Sequence, residues 1–137
     1  TQGFTRYIQD RFPGILTEDV LNTNEDPATA YRLTCDLLQR QPQLDGLFIA
    51  CGCVPDICRA VRDCGRNGQL TVVCFERYPA IVELIHSGEV ACTISGSLFG
   101  QGQRAMRLLF EYLVYGKSPE EEQVYLSNEI LLAENID

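Results

Sequence analysis

The sequence predicts an α/β fold in which a parallel sheet carries helices on both faces. Segments with strand-like and helix-like patterns alternate through the first 115 residues, and the connections between them are too short for anything except βα units. Composition gives the second indication. Of the 137 residues, 45% are hydrophobic, which is enough to bury the core that such a sheet needs.

The first third of the chain predicts a helix, a strand and a second helix. Apolar residues recur at helical spacing over 3–12, and the apolar segment 15–23 that follows is expected to form a strand. Asp26 before Pro27 has the residue types of a helix N-cap and a first helical position. A helix is therefore expected from there to about residue 41.

The middle of the chain predicts two strands around one helix. A continuous apolar run over 47–51 is typical of a strand that is covered on both faces. The helix expected over 54–64 ends at Gly65, a residue type that readily takes the left-handed conformation of a C-terminal cap. The next strand is expected over 70–76.

The last third predicts a helix, a strand, a longer helix and a tail. The helix is expected over 78–88 and the strand over 90–95. An amphipathic helix over 101–115 is expected to end at Gly116. The tail, 117–137, combines an acidic linker with one or two strands.

The charge balance excludes one class of function for this segment. The formal net charge is −8, whereas binding to the phosphate backbone of nucleic acids uses clustered Lys and Arg. Any contact with DNA is therefore expected outside these residues. No apolar run approaches the roughly 20 residues of a membrane span.

The seven cysteines are expected to be free thiols. They form an odd set and fall mostly within predicted helices and strands, a pattern suited to the reducing cytosol. We therefore expect a cytoplasmic protein. The spacing of Cys51, Cys53 and Cys58 is not a paired C-x-x-C set, and the one histidine, His86, lies far along the chain, so no metal is expected.

The candidate site lies at the carboxyl ends of the predicted strands, because ligands bind beyond those ends in parallel α/β sheets. Glu76 can accept hydrogen bonds from hydroxyls, and Arg77 can donate to a carboxylate or phosphate. The alternative for Arg77 is a side chain that points into solvent. The residues expected to contact a ligand are Ala50, Cys51, Glu76, Arg77, Ser95 and Gly96.

The strand ends show no catalytic pattern. Cys51 follows a strand, but it lacks the G-x-C-x-G frame of a nucleophile elbow, and no histidine follows a strand to act as its base. The sequence has no G-x-G-x-x-G or Walker motif. We therefore expect a binding protein that is not an enzyme and needs no cofactor.

Three stretches of the chain are familiar in their order: QLDGLFIACG, LTVVCFERYPAIVELIHSGEVACTIS and FGQGQRAMRLLFEYLVYGK. With these stretches the chain resembles the effector-binding domain of LacI/GalR-family transcriptional regulators. It is equally similar to the periplasmic sugar-binding proteins of the type I fold. The resemblance covers nearly the whole chain, but only about the latter half of a two-lobed sensor.

The resemblance implies a division of the chain between two lobes. Residues 1–96 would form the C-terminal lobe without its first strand. Residues 97–116 would cross over to a helix that belongs to the other lobe. Residues 117–137 would hold a return strand and the tail.

The resemblance also implies ligand contacts in the cleft between the lobes. Glu76 stands where the family usually has an Asp that holds sugar hydroxyls, and Ala50-Cys51 stand where many members have Asn-Asp. Gly96 stands at or near the position of a Gln. A ligand-binding Arg of the family would fall just before Thr1.

The function that the resemblance implies is effector sensing by a cytosolic LacI-type regulator. A sugar-like effector would bind between the lobes and change how a homodimer places two DNA-reading heads, helix-turn-helix modules that would precede this chain. The alternative is a periplasmic or lipid-anchored sugar-binding protein of an ABC transporter. A sensor module of a signalling enzyme shares the fold and stays open as a third interpretation.

The helix expected over 101–115 has apolar surface on two sides. One stripe contains Ala105, Leu108, Leu109, Tyr112 and Leu113, and a second contains Met106, Phe110 and Val114. In the resembled family this helix packs with the other lobe. We therefore expect the second stripe either to pair with another copy of the chain or to remain an exposed patch.

Overall fold

The structure is a computed structural model that describes residues 2–17 and 20–137. Its elements follow in the order α1 (Gln2–Arg11), α2 (Pro27–Arg40), β1 (Gly46–Ile49), α3 (Val54–Asp63), β2 (Thr71–Phe75), α4 (Pro79–His86), β3 (Cys92–Gly96), α5 (Leu98–Tyr115) and β4 (Asn128–Leu131). The strands have the order β1-β2-β3-β4 in one sheet. The chain divides into two compact units, Thr1–Val72 and Val73–Asp137.

The first unit is built around the packing of α2 against α3. Asp26 caps α2, because its carboxylate accepts the N–H of Thr29 at 2.7 Å. Hydrogen bonds from Thr29 also lower the pKa of the Asp26 carboxyl. The buried face of α2 carries Ala30, Thr34 and Leu38, and that of α3 carries Val54, Ile57, Cys58, Ala60 and Val61.

Two further contacts hold the first unit together. The rings of Phe4 in α1 and Phe48 in β1 are stacked, with centroids 4.4 Å apart. The hydroxyl of Tyr31 in α2 donates to the carboxylate of Asp63 in α3 at 2.8 Å, and the guanidinium of Arg59 lies 4.8 Å from the centroid of the Tyr31 ring. Both neighbours of Tyr31 come from α3, so this side chain ties the two helices together.

The second unit is a strand pair extended by β4 and packed with α4. β2 and β3 are parallel, whereas β3 and β4 are antiparallel, with Gly96 opposite Asn128. The core of this unit includes Cys74, Ile81, Val90 and Thr93, all at most 1% exposed. Gly88 ends α4 with a φ of 77°, in the left-handed region that favours glycine.

The structure confirms the α/β class with a mostly parallel sheet and helices. The parallel sheet is extended by β4, a strand in the predicted tail, which returns antiparallel along β3. The long helix also begins earlier than predicted, at Leu98, because the Ser97 hydroxyl accepts the N–H of Gly100 at 2.9 Å and so caps the first turn. Gly116 ends that helix with a φ of 65°, as its position in the sequence predicts.

The predicted strand over 15–23 is wrong for the residues that the structure describes there. Residues 15–17 and 20–23 pair with no strand, and Leu16 is 92% exposed. Near its end the segment turns: the N–H of Asn24 donates to the side-chain oxygen of Asn22, which competes with an extended ladder. Glu18 and Asp19 lie outside the described residues.

Helix α5 has no buried residue along its whole length. The second apolar stripe is exposed, with Met106 at 66% and Phe110 at 54%. The first stripe is exposed as well: Leu113 is 70% accessible to solvent. Neither stripe is therefore buried by the residues that the structure describes. No helix within the described residues has the length and apolar character to cross a membrane.

The exposed surface of α5 makes a first prediction. The chain on its own is expected to self-associate in sedimentation at high concentration, or to bind a dye that reports exposed apolar surface. Exchanging Met106 and Phe110 together for Gln should reduce whichever of the two effects occurs. Arg104→Gln on the same helix is the control and should change neither. A strictly monomeric wild-type chain that binds no dye would contradict the prediction.

A second prediction concerns Tyr31. Its hydrogen bond to Asp63 is the largest of the effects that raise the pKa of Tyr31 to about 12. Because the raised pKa favours the protonated phenol, the stabilisation is fully present below the usual tyrosine pKa of about 10 and is lost as pH rises through about 12. Absorbance titration of tyrosinate should show a late step that belongs to Tyr31.

Two variants test this assignment. Tyr31→Phe should remove the late step, and Asp63→Asn should move it toward the ordinary tyrosine range. Tyr7→Phe, at an exposed tyrosine of α1, should leave the late step in place. A late step that persists in Tyr31→Phe would assign the titration to another tyrosine.

Candidate functional site

The carboxyl ends of β2 and β3 lie side by side in the second unit. Phe75 at the end of β2 is in register with Ile94 of β3. The ladder continues one residue further, since the N–H of Glu76 donates to the carbonyl oxygen of Ile94 at 2.8 Å. The hydroxyl of Thr93, which is fully buried, donates to the carbonyl oxygen of Glu76. Both polar groups of the Glu76 backbone are therefore bonded to β3.

Glu76 has a left-handed backbone, with a φ of 82°. A residue with a Cβ loses roughly 1–2 kcal/mol in this conformation. Such conformations persist where the surrounding structure imposes them, and they cluster at ligand sites. β2 ends one residue earlier, at Phe75, and Glu76 is exposed. The structure thus presents a carboxylate at the strand end, as the sequence predicts.

Arg77 and Ser95, the neighbours of Glu76 at this edge, are placed differently. Arg77 is exposed, and one terminal nitrogen of its guanidinium donates to the carbonyl oxygen of Asp137. Ser95 is only 9% exposed and lies on the same face of β3 as buried Thr93. Its hydroxyl donates to the carbonyl oxygen of Gly96 at 3.3 Å. Arg77 is thus available at the edge, whereas Ser95 lies on the buried face.

Gly96 ends β3 at a point where two amide side chains converge. A Cβ added to Gly96 would lie 2.8 Å from Oδ1 of Asn128 and 2.9 Å from Nε2 of Gln101. Both distances are shorter than ordinary contacts, so the glycine makes room for the amides. Sequence reasoning missed Gln101 and Asn128, because they come from α5 and β4 rather than from the end of a predicted strand.

Ala50 and Cys51, the candidates in the first unit, follow β1. Ala50 is exposed and Cys51 is half-buried. The next residue, Gly52, donates its N–H to Oε2 of Glu25 at 2.8 Å, and Glu25 has a left-handed φ of 55°. A carboxylate thus lies against the backbone that follows β1. Sequence reasoning missed Glu25, because nothing in its local context predicts contact with residues so distant in the chain.

Five of the seven thiols are poor candidates for chemistry. Cys53, Cys58 and Cys74 are buried. Burial raises the pKa of the Cys53 and Cys74 thiols and also that of the Cys64 and Cys92 thiols. A raised pKa keeps the thiol protonated, whereas nucleophiles and metal ligands are thiolates. Within the described residues there is no group of three or more His, Cys, Asp or Glu that could hold a metal ion.

Parallel α/β sheets bind ligands beyond the carboxyl ends of their strands, and polar residues follow β2 and β3 in this sheet. The family model described as "Periplasmic binding protein domain" matches residues 1–118, and the chain belongs to that family. The resemblance to periplasmic-binding-protein-like domains is therefore confirmed at the level of the family.

Solved structures support the same fold. An ABC-transporter solute-binding protein from Agrobacterium vitis bound with α-D-tagatopyranose is 20% identical, with a TM-score of 0.90 over 98% of this chain and 45% of that protein. A second from the same organism, with bound D-fucose, is 23% identical, with a TM-score of 0.88 over 99% of this chain and 46% of that protein.

An arabinose-binding protein from Geobacillus stearothermophilus is 17% identical, with a TM-score of 0.85 over 98% of this chain and 49% of that protein. The chain thus spans about half the length of the structures that it matches. No curated protein matches the chain.

A third prediction concerns the thiols. A disulfide reagent at neutral pH should react quickly with fewer than the seven thiols of the folded chain, because three are buried and burial raises the pKa of four. All seven should react in denaturant. Rapid reaction of Cys74, located by mass spectrometry of the labelled folded chain, would contradict its burial.

Proposed function

We propose that the chain is one half of a sugar-binding receptor of the ABC-transporter solute-binding type. The family match supports a periplasmic-binding-protein domain, and two of the similar structures are of solute-binding proteins with bound monosaccharides. The chain spans about half of those proteins. Under this proposal the sugar lies in a cleft completed by a second half, and residues 97–116 belong with that half.

Glu76 is the observation that carries the proposal. Its backbone is fixed in a strained conformation by bonds to β3, and the carboxylate is exposed at the strand end. An ionised carboxylate only accepts hydrogen bonds, and its two oxygens can receive two neighbouring hydroxyls of a sugar ring. Bonds to a charged acceptor are stronger than neutral ones, so Glu76 would orient the ring.

The neighbours of Glu76 in sequence offer two further kinds of contact: Arg77 a polar one and Phe75 an apolar one. The guanidinium of Arg77 has five N–H donors, and the structure engages one terminal nitrogen with Asp137. The remaining donors can reach a sugar oxygen. Phe75 is 38% exposed beside Glu76 and offers the flat apolar surface that a sugar ring packs against. Carboxylate, guanidinium and ring together suit a neutral polyhydroxyl ligand.

A second candidate is the effector-sensing domain of a cytoplasmic LacI-type regulator. The seven unpaired cysteines favour it, because exported proteins fold where free thiols are oxidised. In this case the sugar-like effector would control a homodimer that contacts DNA through a preceding helix-turn-helix module. The same sugar site serves both candidates.

The coding sequence upstream of Thr1 separates the two candidates. A basic helix-turn-helix module of about 60 residues would favour the regulator, and a signal peptide would favour the receptor. Binding of purified full-length protein to DNA, with and without sugar, provides the matching biochemical test. Sugar-dependent release from DNA would contradict the receptor.

A fourth prediction tests Glu76 in the full-length protein. Glu76→Gln keeps the shape but removes the charge, and it should weaken monosaccharide binding about tenfold or more in titration calorimetry, because a hydrogen bond to a charged group is lost. Glu83→Gln, at an exposed position of α4, is the matched control and should bind like the wild type.

Glu76→Gly separates binding from folding. Glycine takes a positive φ without a steric penalty but adds freedom to the unfolded chain, so the melting temperature should stay unchanged or rise while binding is lost. Unaltered affinity in both Glu76 variants would remove this residue from the site and withdraw the proposal's main support.

A further inference from the structure

Gly96 is surrounded by polar groups that would overlap any side chain placed there. The positions 2.8 Å and 2.9 Å from its missing Cβ are taken by Oδ1 of Asn128 and Nε2 of Gln101. The side chains of Gln101 and Asn128 are both exposed, so their amides do not belong to the core. Two polar side chains from elsewhere in the same unit therefore occupy the space beside Gly96.

Secondary structure places the two residues that carry these amides. Asn128 opens β4 directly opposite Gly96 in the antiparallel register. Gln101 lies one turn into α5, where its N–H donates to the carbonyl oxygen of Ser97 at 2.9 Å. Because Ser97 also caps that helix, the start of α5 cannot shift without losing the cap. The two amides thus converge at the carboxyl end of β3 through secondary structure.

The place where they converge is adjacent to Glu76 along the same strand ends. The N–H of Glu76 bonds the carbonyl of Ile94, two residues before Gly96 on β3. An amide group offers both donors and an acceptor, and so does a hydroxyl group. Two amides that meet at one point can give a single hydroxyl one donor and one acceptor.

The geometry points to a subsite in which the side-chain amides of Gln101 and Asn128 together hold one hydroxyl of a monosaccharide. Because Gly96 has no side chain, it leaves room for both amides. This inference rests on the proposed sugar-binding function and names the residues that set its specificity. Glu76 orients the ring, and the amide pair selects sugars that carry a hydroxyl at the neighbouring position. A sugar that lacks that hydroxyl leaves both amides unpaired.

The test uses the full-length protein and titration calorimetry with D-fucose, D-tagatose, L-arabinose, D-glucose and D-galactose as probes. Gln101→Met and Asn128→Leu keep approximate shape and remove the hydrogen-bonding groups. Each should weaken binding of the preferred sugar about threefold to tenfold. Gln103→Met, at an exposed position of α5, is the matched control and should leave the affinity unchanged.

Gly96→Ala tests the space between the amides. Its new methyl group would overlap the ends of two flexible side chains, so the chain should still fold, with little change in melting temperature, while the amides move and affinity falls. In the Gln101→Met background the same substitution should cause a smaller additional loss, since one displaced amide is already absent.

The outcomes separate the two proposals. Unchanged affinity in Gln101→Met, Asn128→Leu and Gly96→Ala, together with a loss in Glu76→Gln, would overturn the subsite and leave the sugar-binding function intact. A wild-type protein that binds none of the five sugars would overturn both. The affinity of wild-type protein and amide variants can also be compared for deoxy forms of the preferred sugar. If the variants bind one deoxy sugar as well as the wild type does, the missing hydroxyl is the one that the subsite holds.

Discussion

The hydrogen bond from the Glu76 N–H to the Ile94 carbonyl supports the candidate site of the second unit. It extends the β2–β3 ladder beyond the last residue of β2, and the hydroxyl of buried Thr93 donates to the carbonyl oxygen of the same residue, Glu76. With both backbone groups bonded, Glu76 keeps a left-handed conformation that a free loop would relax. The backbone of Glu76 is therefore positioned by β3, through one main-chain bond and one side-chain bond.

The elements that the sequence predicts well are those with local signals. Asp26-Pro27 starts α2, and Gly65, Gly88 and Gly116 take positive φ where helices end. The segment 15–23, wrongly predicted as a strand, has no comparable signal, because a strand exists only when another strand satisfies its backbone groups. That condition depends on pairing between distant parts of the chain, and periodicity alone cannot report it. A strand is expected in the tail, where β4 lies, but nothing local in the sequence indicates its antiparallel pairing with β3.

The residues of the candidate site also differ in whether a local sequence signal predicts them. Glu76 and Arg77 follow directly from the position of a strand end, whereas Gln101, Asn128 and Glu25 reach their places through helix start, strand register and loop conformation. The placement of Ser95 has a different cause. Because side chains alternate along a strand, Ser95 lies on the same face of β3 as Thr93. That this face is the buried one depends on how the core packs, which the sequence of β3 alone does not indicate.

At Gly96 the amides of Gln101 and Asn128 occupy the space that a side chain of residue 96 would take. Ligand binding at this place would therefore involve three elements of secondary structure instead of one. A contact made from position 96 itself would belong to β3 alone, whereas an amide pair draws on α5 and β4 as well. The Ser97 cap holds the first turn of α5, but the helix has no buried residue, so the rest of it is positioned mainly by whatever covers its apolar stripes. Under the proposed subsite, a ligand that requires Gln101 in place therefore favours the arrangement of α5 that presents it, and by linkage the covering half affects affinity in return.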